Sequence, residues 1–298
     1  MKIIKFIIIL AVITGIAVVS QNKSRKPEIK KNLSQVESNP KKDSTEQKAY
    51  TFSIDGKTTK GVKKWHLEGT TAEMMGDEIQ LGQLNAIAFG EEFSAKLVSD
   101  KGIYYRDKSL VELVGNVKVT TDEGTLLTTD SAQWSQETRE ITTDSIVTIV
   151  RSNMRAEGKG AIADSFKKIA KLIKNVRVAM EPSTIVYCDG PMDVNFGDNV
   201  AIFQNNVKVR DKDGELFADK LTVSFSKETK KIAEVRAKGN VKLVRGKSYT
   251  LCEEAIYTDG TRSVQFLGKP TIVIAPEEIK SSGVFTTGGF NMGNLGKR

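Results

Sequence analysis

A four-residue phrase recurs along the chain: NVKV at 116–119, NVRV at 175–178, NVKV at 206–209 and NVKL at 240–243. Self-similarity of this kind means that one supersecondary unit is stacked, because a single copy buries its apolar face only against its neighbours. Each phrase alternates aliphatic and basic residues, which puts Val117 and Val119 on one side of a strand and Lys118 on the other. The Asn, preceded by Gly115 or Gly239 in two copies, suits a turn that needs a positive φ. A longer parallel, GNVKVTTDEGTLLTTD at 115–130 against NNVKVRDKDGELFAD at 205–219, repeats the plan in the second half. The chain is an array of strands with two halves on one design.

The rest of the sequence agrees. A length of 298 residues suggests about two domains, and 24 Gly with only 6 Pro suit many strands joined by tight turns. Alternation marks one-face-buried strands at Trp65 and Leu67, at Ala95 and Leu97, at Leu221, Val223 and Phe225, and at Val235 and Ala237. Residues 165–174 have some helical character, but the strand pattern around them argues against a helix. The expected class is all-β.

Several function classes drop out. Much of the formal charge of +8 sits in residues 21–48, which hold Lys23, Arg25, Lys26, Lys30, Lys31, Lys41, Lys42 and Lys48, and no helix-turn-helix, zinc-finger or RNA-binding aromatic motif accompanies it. No nucleic-acid partner is expected. The single histidine, His66, lies on the polar side of its strand, so the chain lacks the acid–base constellation of an enzyme. DKDGE at 211–215 reads as a hairpin turn, since the distant Glu that completes a calcium loop is missing. Neither a metal nor a cofactor is expected. Cys188 and Cys252 fit no CxxC spacing; a disulfide between them and two half-buried strand thiols are both open.

The amino terminus, MKIIKFIIILAVITGIAVVS, has a basic start and an apolar run from Phe6 to Val19 with no small-x-small cleavage site after it. Residues 1–20 read as a retained transmembrane helix, with Lys2 and Lys5 snorkelling to lengthen the span. Residues 21–49 are a polar linker. A basic start before a lone apolar run is the usual export signal and places the body outside the cytoplasm. The count of Lys and Arg after the span points the other way.

The order of features resembles the LptC family of membrane-anchored lipopolysaccharide-export proteins. The motifs are WHLEG at 65–69, DEIQL at 77–81, SDKGIYYRDKSLVELVGNVKV at 99–119, LLTTDSAQW at 126–134 and EITTDSIVTI at 140–149. The second half, with CDGPMDV at 188–194, FQNNVKVRDKDGELFADKLTVSF at 203–225, AKGNVKLV at 237–244 and LGKPTIVI at 267–274, resembles the LptA/OstA bridge proteins of the same pathway. The resemblance implies two stacked open β-jellyroll modules, at 50–181 and 182–276, before a flexible tail at 277–298. It implies a non-catalytic conduit in the periplasm, tethered to the inner membrane. Its partners would be lipopolysaccharide, the inner-membrane lipopolysaccharide ABC transporter and an LptA-type bridge protein joined by edge-strand pairing. Candidate lipid-facing residues are Val117, Val119, Val207, Val209, Leu221, Val223, Phe225, Val241 and Leu243, each chosen by its alternation. Lys118, Lys208, Arg210 and Lys242 read as a solvated face, with lipid phosphates as the alternative partners. The rival reading is a structural β-sandwich scaffold with a dry core.

Overall fold

Turn residues every dozen positions cut the alternating pattern into strands, and neighbouring strands pair antiparallel. The computed structural model describes residues 47–275 apart from 58–62, 90–93, 123, 136, 139, 165–166, 230 and 262. The expected anchor at 1–20, the linker up to residue 46 and the tail at 277–298 lie outside the described residues. The first strands are β1 (Gln47–Lys57), β2 (Lys63–Met75), β3 (Glu78–Phe89), β4 (Ser94–Tyr105), β5 (Leu110–Thr121), β6 (Thr125–Ser135), β7 (Glu140–Arg151), β8 (Met154–Asp164) and β9 (Ile169–Met180). The meander continues through β10 (Thr184–Cys188), β11 (Met192–Asn195), β12 (Val200–Asp211), β13 (Gly214–Phe225), β14 (Ile232–Arg245), β15 (Ser248–Thr258), β16 (Ser263–Leu267) and β17 (Thr271–Val273). Residues from Ile169 onward in the ambiguous 165–174 stretch are strand. Among the described residues there is no helix, and none long and apolar enough to cross a membrane.

β10 and β11 both pair with β9 on one side and β12 on the other, so the two act as one strand interrupted at residues 189–191. β16 and β17 share the face of β15 in the same way. The result is one continuous sheet from β1 to β17.

A crease runs across the middle of this sheet. The pairing register shifts between Val98 and Lys101, Val114 and Val117, Thr143 and Ile146, Gln204 and Val207, and Lys238 and Val241, each time near a strand's midpoint. Here the recurrent phrase finds its place: Asn116, Asn175, Asn206 and Asn240 all have φ near +50°, at 48°, 54°, 51° and 48°. The positive φ expected from sequence is present, but it bends a strand internally instead of joining two strands. Such bulges sharpen the local twist and re-aim the chain.

The crease has its own hydrogen bonds. Asn116 Nδ2 donates to Asp100 Oδ2 at 2.8 Å, Asn206 Nδ2 to Asp189 Oδ2 at 2.6 Å and Asn240 Nδ2 to Asp219 Oδ2 at 2.8 Å. Gly115, at φ +80°, leaves room for this Asp: a Cβ there would meet Asp100 Oδ2 at 2.5 Å. Gly239 stands in the same relation to Asp219.

The crease divides each long strand into two arms, which form two walls. The turns after β5, β7, β9, β12 and β14 border the first wall; those after β2, β4, β6, β8, β11, β13 and β15 border the second. DKDGE is the β12–β13 turn, with Asp211 opposite Gly214. Inner-facing Val, Leu, Ile and Ala of both walls pack together. From β7 to β15 they form a single buried cluster that includes Val178, Val209, Leu216, Phe203, Val223 and Val235. In the first half the buried residues fall into two groups, one around Leu97 and Val119 and a small one of Ala132, Trp134 and Ile141.

Candidate functional site

Following the register of each pair from β1 to β17 traces an inner-facing row along the first wall: Ile54, Leu67, Ala86, Leu97, Val119, Leu127, Ile149, Ala156, Val178, Val186, Val209, Leu216, Leu243, Thr250 and Ile272. Thr250 is its one polar member, and every strand contributes except β11 and β16, which supply the second wall. On the second wall the matching row runs from Met74 and Ile79 through Tyr104, Val111, Trp134, Ile141, Ala163, Ala170, Val194, Ala201, Val223 and Val235 to Tyr257 and Val264. Adjacent side chains in such rows lie about 5 Å apart, so each row is a continuous hydrocarbon surface. At the two ends the first row emerges into solvent, Ile54 being 49% exposed and Ile272 60%.

All nine candidate residues lie on these inner faces. Val119, Val209 and Leu243 belong to the first row and Val223 to the second, while Val117, Val207, Val241 and Leu221 lie nearer the crease. Seven are buried; Phe225 and Leu243 are partly buried against the large cluster. Val117 and Val119 pack in the first-half cluster and the other seven in the large one. Sequence reasoning missed Leu216, Phe203 and Trp134, which are equally buried on the same faces.

The basic residues point the opposite way. Lys118 and Lys242 are exposed on the outer face, Lys242 lying 5.4 Å from the Tyr249 ring. Lys208 Nζ and Arg210 Nε meet Glu215 Oε1 at 3.0 and 2.9 Å. Hydrogen bonds from Lys208 and Arg210 hold the Glu215 carboxyl below its ordinary value. His66 is paired on the outside with Asp55, Nδ1 to Oδ1 at 2.7 Å. Among the described residues no group of three or more His, Cys, Asp or Glu is placed to hold a metal ion.

Cys188 and Cys252 are both buried and unbridged. β12, β13 and β14 separate their strands, a distance of four inter-strand steps of about 4.8 Å, whereas a disulfide needs Cα atoms within about 7 Å. The intramolecular bridge left open by the sequence is excluded by geometry. Burial raises both thiol pKa values above the ordinary one.

The interior is not wholly hydrocarbon. The indole Nε1 atoms of Trp134 and Trp65, both inner-facing, are buried without a hydrogen-bond partner. Thr121 and Thr125 are buried near the free edge of the first wall, where the Thr121 hydroxyl accepts from the Thr125 amide at 3.1 Å.

Inner-facing apolar rows thus run through both halves of the sheet. The family described as "Lipopolysaccharide-assembly, LptC-related" matches residues 7–181. The chain belongs to this LptC-related family. Residues 191–286 match a second family, described as "LptA/(LptD N-terminal domain) LPS transport protein". The chain thus fuses an LptC-related region to an LptA-like one, and it is a lipopolysaccharide-transport protein with a periplasmic body. Both families are ones of carriers. The chain is also similar to the crystal structure of LptH, the LptA homologous periplasmic component of the conserved lipopolysaccharide transport device from Pseudomonas aeruginosa. That similarity has 14% identity over 41% of this chain and 95% of that chain, at a TM-score of 0.34. No curated protein matches the sequence.

Proposed function

We propose that this LptC-related protein is a single-chain lipid slide: acyl chains of lipopolysaccharide lie between its two walls and move along the inner rows from the β1 end toward β17. The observation that carries this reading is the row from Ile54 to Ile272, which passes from the LptC-related region to the LptA-like one without a polar gap until Thr250. Each buried CH₂ of a guest gains about 0.8 kcal/mol, so a trough of this length holds several acyl chains and still lets them shift by small steps. Val117, Val119, Val207, Val209, Leu221, Val223, Phe225, Val241 and Leu243 would line the path. The body would form two stacked open jellyroll modules, at 50–181 and 182–276.

The rest of the proposal follows from this one. Residues 1–20 would anchor the chain in the inner membrane beside the ATP-driven lipopolysaccharide ABC transporter, which supplies the energy. β1 and the β16–β17 pair, as the two edges of the sheet, offer backbone groups for strand addition by the transporter at one end and an LptA-type bridge protein at the other. The close packing of both walls from β7 to β15 supports a second reading, a scaffold with a dry core.

Photocrosslinking in lipopolysaccharide-producing cells separates the two. A photoreactive amino acid in place of Leu243, facing in, should yield lipopolysaccharide adducts, and the same replacement of its outward neighbour Lys242 should not. Equal labelling at the two positions, or none at Leu243, would reject the slide in favour of the scaffold.

A further inference from the structure

Two polar donors stand alone inside a hydrocarbon surface. Trp134 is 5% exposed, faces inward from the second wall between Val111 and Ile141, and its indole Nε1 has no hydrogen-bond partner. Trp65 faces inward from the first wall with its Nε1 in the same state. Buried indole N–H groups ordinarily find an acceptor, because leaving one unmade costs the full desolvation of the donor. A phenylalanine would fill such a place without that cost. The apolar side chains grouped with Trp134 are Val111, Ala132 and Ile141, and none of them offers an acceptor to the indole N–H.

The packing around Trp134 says where an acceptor can enter. From β7 to β15 the two walls share one buried cluster, whereas Trp134 sits in a three-residue group apart from the cluster around Val119. Leu127, partly buried, is the side chain that touches both large clusters beside it. The buried packing is divided here, at the junction of β5, β6 and β7, where Val111 packs against both the Trp134 group and the cluster around Val119.

We infer that the Trp134 indole is a recognition donor for the acyl-linkage oxygen of the cargo, the ester or amide carbonyl that joins a fatty chain to its sugar. This rests on the lipid-slide reading and deepens it. Tails alone bind a hydrocarbon trough without register, because every CH₂ is alike. The carbonyl is the acceptor a tail-inserted glycolipid carries into such a trough, and one donor at a fixed place gives it a stopping point. Trp65, on the opposite wall and nearer the free edge, is a donor of the same kind for a lipid seated less deeply.

The chain contains 2 tryptophans, so two indole N–H signals are expected in a ¹⁵N spectrum of the full chain in detergent micelles. On titration with purified lipopolysaccharide the Trp134 signal, identified by its absence in Trp134→Phe, should move downfield. Trp134→Phe should weaken lipopolysaccharide binding about fivefold, the worth of one neutral hydrogen bond, without lowering the lipid-free melting temperature. A Trp134 signal unmoved by a lipid that binds would overturn the inference and leave the slide intact. Undiminished affinity in a folded Trp134→Phe would do the same. If that variant fails to fold, assignment by Trp65→Phe keeps the wild-type titration decisive. Absence of any lipopolysaccharide binding by the wild-type chain would bring down the slide and this inference together.

Discussion

At the scale of single residues the crease asparagines matter most. Asn116, Asn206 and Asn240 each combine a backbone conformation that β-carbon-bearing residues adopt at a cost of roughly 1–2 kcal/mol with a side-chain hydrogen bond to an Asp of the neighbouring strand or the turn beside it. Asn240→Ala loses the bond and keeps the backbone strain, so the urea midpoint should fall by the equivalent of about 1–2 kcal/mol; Asn240→Gly, which relieves the strain, should lose about half as much. The two thiols make a second test. Buried and raised in pKa, Cys188 and Cys252 should resist iodoacetamide in the native protein at pH 8 and react at once in guanidinium. Oxidation should leave no intramolecular disulfide in the mass spectrum. The valines of the NV phrases were readable from alternation, and so was the positive φ. That the Asn marks a bend within a strand was not, because a Gly–Asn pair looks the same at a hairpin and at a bulge.

Among the elements, the miss of Leu216 has a structural cause. In β13 the buried positions are Leu216 and Ala218 in one arm and Leu221 and Val223 in the other, so the inward-facing set changes from even to odd numbers at the crease. A reading that follows alternation from Leu221 backward lands on Asp219 and Phe217, and Leu216 is lost. β12, which carries the NV phrase, keeps one parity throughout, with Ala201, Phe203, Val207 and Val209 buried. Packing on these faces is tight enough that Val223→Asp, with no partner for its charge, should destabilise the protein by about 3 kcal/mol or more, measured as a lower melting temperature. Lipid contact is therefore better probed at the partly buried Phe225 and Leu243.

Between β12 and β13, Glu215 is held by Lys208 and Arg210. Its lowered pKa means that the folded state prefers the charged form, so its contribution is present above the ordinary carboxylate value near 4.5 and fades as pH falls below it. On a partly exposed surface this is worth about 0.2–1 kcal/mol. Glu215→Gln should flatten the stability–pH curve below pH 5 by that amount and leave it unchanged in shape above.

For the whole molecule, each strand of the meander pairs with its sequence neighbours, β10–β11 and β16–β17 each standing in for one strand, and stability in such an array is close to a sum of local and nearest-neighbour terms. The large buried cluster starts at Val147 in β7 and ends at Tyr257 in β15. Strands β7 to β15 should accordingly exchange their amide hydrogens as one protected unit, with β1, whose residues are mostly exposed, exchanging first. Separate exchange of β7–β9 from β12–β15 would contradict this. The all-β class and the twofold plan were legible because repeats and alternation are written locally. The continuity of the inner rows was not, since it depends on the register of every pair, and register is set by bulges whose length the sequence does not announce.

The mid-strand bend has one more effect. Because the side-chain frame can be reset there, a one-residue insertion between a turn and the bend would turn a single arm inside out while the other arm of the same strand kept its facing. One ribbon thus carries two independent tracks, and mutations can reshape one side of the lipid path while the opposite side stays as it was.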